Sequence, residues 1–317
     1  MHCSELKLFY KRLIAYLVMV AVFAVVLDIL SILPPTSYAV ACITDSERYT
    51  IPEDSEQEYI QSVRDAMTPD GSTRLIVGDS VCRQIFVGLR DINPDFCIIG
   101  TNAAITMGGQ YIMIKEYLDA HPEAEEVYLM VIPAAFQYAY NGALGYNNGV
   151  VPYVLTDTLH DLDEDTINTL RKTFGSFAIN PKTIGLIRNS GLNKKIYFDL
   201  LNKYAIAYKD DGIYDVSKMY IGKIAELCRE RGVEFYMYPC PATDVTQSTC
   251  AGIWDTLKGS VIYEANPEYL DMMYFFDEEM TVDGVHFYGD YANQETYNEF
   301  IRTMYGQTPL LEHLRLE

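Results

Sequence analysis

The chain has 317 residues, 49% of them hydrophobic and 13% aromatic, which allows one large domain or two small ones. Its 44 acidic against 24 basic side chains give a formal charge of -20. A surface of that sign repels phosphate backbones, so no nucleic acid is expected as a partner; it fits a soluble body working outside a cell or on small neutral substrates.

The first element is apolar. Lys7, Lys11 and Arg12 precede LIAYLVMVAVFAVVLDILSIL, residues 13–33. At about 1.5 Å per residue, 13–33 is long enough for a roughly 30 Å hydrocarbon core, whereas the stretch before Asp28 is not. Asp28 then falls near the outer interface, where a carboxylate costs less than at the centre. Basic residues before the segment, and Asp45, Glu47, Glu53, Asp54 and Glu56 after it, put the N-terminus inside. The expectation is a cytoplasmic 1–12, a transmembrane signal-anchor at 13–33 and an extracytoplasmic remainder, with the lipid bilayer as partner. Ala39-Val40-Ala41 resembles a cleavage site, so a cleaved signal peptide is the competing reading; it exports the same remainder. A lipid-modified Cys42 is disfavoured by Ala39 at the start of its box and by Pro34-Pro35.

Residues 34–70 read as a juxtamembrane stalk, polar and acidic, with Pro52, Pro69 and a short helix near Glu56 to Met67. Strand and helix signals alternate from there, so 71–317 is expected as one folded α/β domain. In TRLIVGDSVCRQIF (73–86), Leu75, Ile76 and Val77 suit a buried strand, Gly78 a sharp bend, and Asp79 and Ser80 the cap of a helix running to Leu89. FCIIG (96–100) is a second strand, Met107 to Ala120 a helix stopped before Pro122, and VYLMVIP (127–133) a third strand, continuously apolar. Residues 134–215 read as an insertion at the carboxyl edge of that strand. There Tyr138, Tyr140, Tyr146 and Tyr153 either stack on sugar rings or fill a small core of their own, and polar helices follow from about 165 to 208. Val216 to Arg231 is an amphipathic helix with Gly232 at its C-cap, and VEFYMYP (233–239) a fourth strand. This order implies a parallel sheet with helices on both faces.

A serine at a strand-to-helix turn lies beside unpaired N–H groups, but it needs a base to become a nucleophile. The late segment FFDEEMTVDGVHFYGDYANQETYNEFI (275–301) offers one. Asp283 and His286 sit three apart in a loop, so the carboxylate can orient Nδ1 while Nε2 faces a hydroxyl. Arg83 and Gln84, just after Ser80, are either pocket-lining or plain helix surface. His121 reads as a helix-end cap and His160 as solvated.

VGDS after an early strand, together with DGVH before the last helix, resembles the SGNH (GDSL-type) hydrolase superfamily over roughly residues 73–303. The resemblance implies a flavodoxin-like three-layer α/β/α sandwich with about five parallel strands. It also implies Ser80 as nucleophile, His286 as general base then acid, and Asp283 as its orienter. Oxyanion donors would be the Ser80 N–H with Gly100 or Asn102 from IIGTNAAITMGG. The family's Gly-x-Asn-Asp block is missing: the third strand continues into VIPAAF, where Pro133 has no N–H. Anchored, exported members imply an esterase or O-acyltransferase acting on acyl esters of a cell-surface polysaccharide, without a cofactor or metal. Their partners would be an acylated glycan or small ester. The alternatives are a glycan-binding or assembly protein with a dead site, or a scaffold that recruits a membrane-protein partner.

Of the seven cysteines none forms a metal-type CxxC pair. A Cys240–Cys250 bridge and free semi-buried thiols both remain open. Asp79, Asp283 and His286 are metal-type ligands, but the triad accounts for two of them without a metal.

Overall fold

A computed structural model describes residues 3–32, 54–86, 89, 93–101, 106–140, 142–176, 178–180, 210–287 and 294–314. Helix α1 (Cys3–Ile32) contains one span, Leu6–Val26, long and apolar enough to cross a membrane, which starts earlier than the expected 13–33; the large apolar side chains of this span are exposed.

Four parallel strands, β1 (Arg74–Gly78), β2 (Phe96–Gly100), β3 (Glu126–Val131) and β4 (Glu234–Pro239), form one sheet in the order β2-β1-β3-β4. The pleat sends alternate residues to opposite faces. Leu75, Val77, Val127, Leu129 and Val131 enter one cluster, while Ile76, Tyr128 and Met130 enter the other. Helices α2 (Asp54–Met67), α4 (Met107–Ala120) and α8 (Asp210–Arg231) contribute to the first cluster. Helices α3 (Ser80–Phe86), α9 (Gln294–Tyr305) and α10 (Pro309–Leu314) contribute to the second. Both sheet faces are therefore covered, which is why β1 and β3 run almost continuously apolar after their first residues, Arg74 and Glu126.

About five strands were expected; the described residues hold four in this sheet. The next candidates, β5 (Ala242–Thr243) and β6 (Phe275–Phe276), pair only with each other, in parallel. Two residues each is too short to extend the main ladder.

The insertion contains α5 (Gly142–Gly149), α6 (Val151–Leu155) and α7 (Glu164–Phe174). The rest of the expected polar helices, 181–209, lies outside the described residues. Tyr140, Tyr146 and Tyr153 are buried, with their hydroxyls bonded to Thr106, to the Ala178 carbonyl and to Thr106 respectively. Sugar stacking by these three is ruled out, because their rings are core. Only Tyr138 of the group is half-buried.

Helix α2 was expected in the stalk. Instead Tyr59, Val63 and Ala66 are buried in the first cluster, so the folded body starts upstream of residue 71. Its apolar stripe at i, i+4 and i+7 needs a partner, and α4 provides it.

Candidate active site

Strand β1 ends at Gly78, whose φ is not in the left-handed region, so the glycine is not there for an unusual bend. Close packing explains it: a Cβ would lie 1.9 Å from the Met130 carbonyl oxygen and 2.7 Å from Cys82 Cβ. Bare backbone lets α3 start directly against the sheet. Gln110, buried on α4, donates to the Gly78 carbonyl at 3.3 Å and supports the turn from beneath.

Asp79 then organises the turn. Its Oδ1 accepts from the Val81 and Cys82 N–H groups, both at 3.0 Å, as a helix cap. Its Oδ2 accepts from Ile132 N–H at 2.8 Å, so one carboxylate joins the start of α3 to the segment after β3. Burial pushes the Asp79 carboxyl above the usual range, against the pull of these three donors and of His286.

Ser80, the first residue of α3, is placed at the carboxyl edge of the sheet. Its Oγ lies 2.7 Å from His286 Nε2, and His286 Nδ1 lies 2.8 Å from Asp283 Oδ2. The three residues form one connected chain across 206 positions of sequence. Asp283 Oδ1 also accepts from the Val285 and His286 N–H groups at 3.0 and 2.8 Å. Burial acts to raise the Asp283 carboxyl, but these donors and the imidazole together hold it below the usual range. The carboxylate thus stays charged and fixes the tautomer with Nε2 free to accept the serine proton.

The loop carrying the pair is clamped. Gly284 takes φ +82°, a left-handed conformation that a side chain would strain. Its N–H donates to Thr281 Oγ1 at 2.8 Å, its carbonyl accepts from Thr243 Oγ1 at 3.1 Å, and Val282 N–H donates to the His286 carbonyl at 2.8 Å. The Gln84 carboxamide meets the Phe287 backbone twice, accepting its N–H at 3.2 Å and donating to its carbonyl at 3.4 Å. Gln84 is one helical turn from Ser80, so the helix that carries the hydroxyl also docks the loop that carries the imidazole. Sequence reasoning left Gln84 as pocket lining or bland surface; its bracing role was missed, and the i, i+4 spacing from Ser80 was the available signal. Arg83 is exposed.

Among the oxyanion candidates, the Ser80 N–H has no acceptor among the described residues, because the cap occupies only the next two amides. Gly100 closes β2 in register with Gly78, and a Cβ there would lie 2.5 Å from Arg83 Cα, so packing against α3 already accounts for this glycine. Asn102 lies outside the described residues. Cys240 and Cys250 are both buried thiols outside any disulfide, so a Cys240–Cys250 bridge is not formed, and the Cys240 thiol faces Cys82 instead. Cys250 instead contacts Thr246 Oγ1 at 3.8 Å. His121 is the C-cap residue of α4, its Nδ1 donating to the Tyr117 carbonyl at 2.9 Å, and His160 is 73% exposed.

No family model, no curated protein and no solved structure matches this chain.

Proposed function

We propose that the protein is an SGNH-type serine esterase or O-acyltransferase, anchored in the membrane through α1, with its site on the extracytoplasmic side. The 2.7 Å contact between Ser80 Oγ and His286 Nε2 carries this reading. The strand order is also that of the first four positions of a flavodoxin-like sheet, and the site lies at the strands' carboxyl ends, where such sheets place their chemistry.

In this mechanism Ser80 Oγ attacks an ester carbonyl carbon while its proton passes to His286 Nε2, and Asp283 stabilises the imidazolium. The tetrahedral oxyanion is met by the Ser80 N–H, with Gly100 or Asn102 as the further donor that the resemblance implies. The C–O bond of the leaving alcohol breaks, and that alcohol takes the proton from Nε2. Water or a sugar hydroxyl then gives its proton to His286 and attacks the acyl-serine; the acyl–Oγ bond breaks, Ser80 Oγ takes the proton back from Nε2, and an acid or a new ester is released. The resemblance points to acyl groups of a surface polysaccharide as the substrate class.

A second reading is favoured by one observation. The segment after β3 lacks the Gly-x-Asn-Asp block, and losing one oxyanion donor typically costs about 10²–10³ in turnover. On that reading the fold binds glycan, or helps assemble it, with a dead site. A fluorophosphonate probe separates the two. Labelling of Ser80 that disappears in Ser80→Ala and His286→Ala supports catalysis, and no label on folded protein supports binding alone.

A further inference from the structure

The two reacting groups ride on different parts of the fold. Ser80 opens α3, which packs on the main sheet, whereas His286 sits in a loop whose ends, Thr281 and Phe287, meet in an antiparallel bridge. That loop is seated on the small β5–β6 sheet. Thr243 of β5 donates to the Gly284 carbonyl at 3.1 Å, and the Phe287 ring packs with its centroid 4.2 Å from that of Phe276 in β6, the residue paired with Thr243. None of these contacts touches α3, so they hold the loop in shape without setting its distance from the nucleophile.

Gln84 supplies that reference. Its carboxamide takes up both the N–H and the carbonyl of Phe287, the residue next to His286, at 3.2 and 3.4 Å. Two bonds from one planar group fix a rotation as well as a distance, whereas a single bond leaves the loop free to swing about it. The amide pair also runs alongside the 2.7 Å contact between Ser80 Oγ and His286 Nε2, from the same helix to adjacent residues of the same loop. An amide can both donate and accept here without placing a charge beside the imidazole.

We infer that Gln84 is a positioning residue for the reaction: it sets the separation of Ser80 Oγ and His286 Nε2 by locking the imidazole loop to the nucleophile helix. It acts through Phe287 and touches no reacting atom. The inference rests on the esterase or acyltransferase reading. Proton transfer from Oγ to Nε2 needs hydrogen-bond distance, and a displacement of about 1 Å can cost about 10²-fold in rate.

The test compares full-length protein in detergent with two variants. Gln84→Met keeps a similar length and volume without either hydrogen bond, and Gln84→Glu keeps the bond accepted from Phe287 N–H. The readings are p-nitrophenyl acetate hydrolysis, the rate of Ser80 labelling by a fluorophosphonate, and the fraction of folded protein from its melting curve. Turnover of Gln84→Met is expected to fall roughly 10- to 100-fold, with KM within about twofold and labelling slowed in parallel. Gln84→Glu is expected to lose less. A folded Gln84→Met with the parent's turnover and labelling rate overturns the inference and leaves the esterase reading standing. A raised KM at unchanged turnover overturns it as well, because Gln84 then acts on substrate binding. So does a loss of turnover no larger than the loss of folded protein, which is stability alone. If Gln84→Met does not fold, parent-like turnover in Gln84→Glu overturns the inference. A parent that hydrolyses nothing and leaves Ser80 unlabelled overturns both.

Discussion

Asp79 is an acid held where burial penalises its charge, yet three backbone N–H groups converge on it. Its raised carboxyl has a definite consequence for stability. As pH rises, the unfolded chain releases this proton first, in the ordinary carboxylate range, so the folded state loses stability until its own Asp79 ionises. Above that point the cost is constant. Asp79→Asn removes this titration. Melting temperatures across the acid-to-neutral range should show the parent losing ground to the variant as pH rises. A constant difference between the two would contradict the assignment. At neutral pH the variant also turns an amide N–H toward one of the three donors, so a cap or tether loss of about 1–2 kcal/mol is expected beside the pH effect. Asp283 has the opposite sign. Its lowered carboxyl contributes stability at neutral pH, and this is lost as pH falls from the ordinary carboxylate range through the folded value.

At the scale of elements, the site depends on how closely α3 approaches the sheet. Gly78 and Gly100 both lie where a side chain would meet backbone, the Met130 carbonyl and Arg83 Cα respectively. Gly78→Ala is expected to cost about 3 kcal/mol or more, because backbone cannot yield as a flexible side chain does; a denaturant-melt midpoint close to the parent's would refute this. Helix α2 makes the second prediction at this scale. A chain lacking residues 1–53 should be soluble and keep the parent's folded melting transition, whereas one lacking 1–70 loses buried Tyr59, Val63 and Ala66 from the α4 face. Losing an aromatic core side chain alone costs about 3–5 kcal/mol, so the shorter chain should melt roughly 10 °C lower or aggregate. Equal melting of the two chains would put α2 back in a stalk. Sequence patterning gave α2 as a helix but not as a member of the core. An amphipathic stripe reports that a face needs covering, not what covers it.

For the whole molecule, much was legible from local pattern because its physical causes are local. Continuous apolar runs marked β1, β2 and β3, Gly232 marked the end of α8 with its positive φ, and the N-terminal apolar run marked a span able to cross a membrane, which among the described residues is Leu6–Val26 rather than 13–33. The residue types of Ser80, Asp283 and His286 were also readable, since Asp-x-x-His in an interrupted segment lets a carboxylate turn back onto its imidazole. Three matters were decided only by the tertiary structure: which alternative the insertion's tyrosines take, which cysteine faces Cys240, and why position 78 is glycine. Each depends on what approaches from a distant part of the chain. The same holds for the contact between Ser80 and His286. One-dimensional spacing fixes neighbours within a turn or a pleat, whereas pairing across 206 residues is set by the sheet order, the clamps on the Gly284 loop and the Gln84 brace acting together.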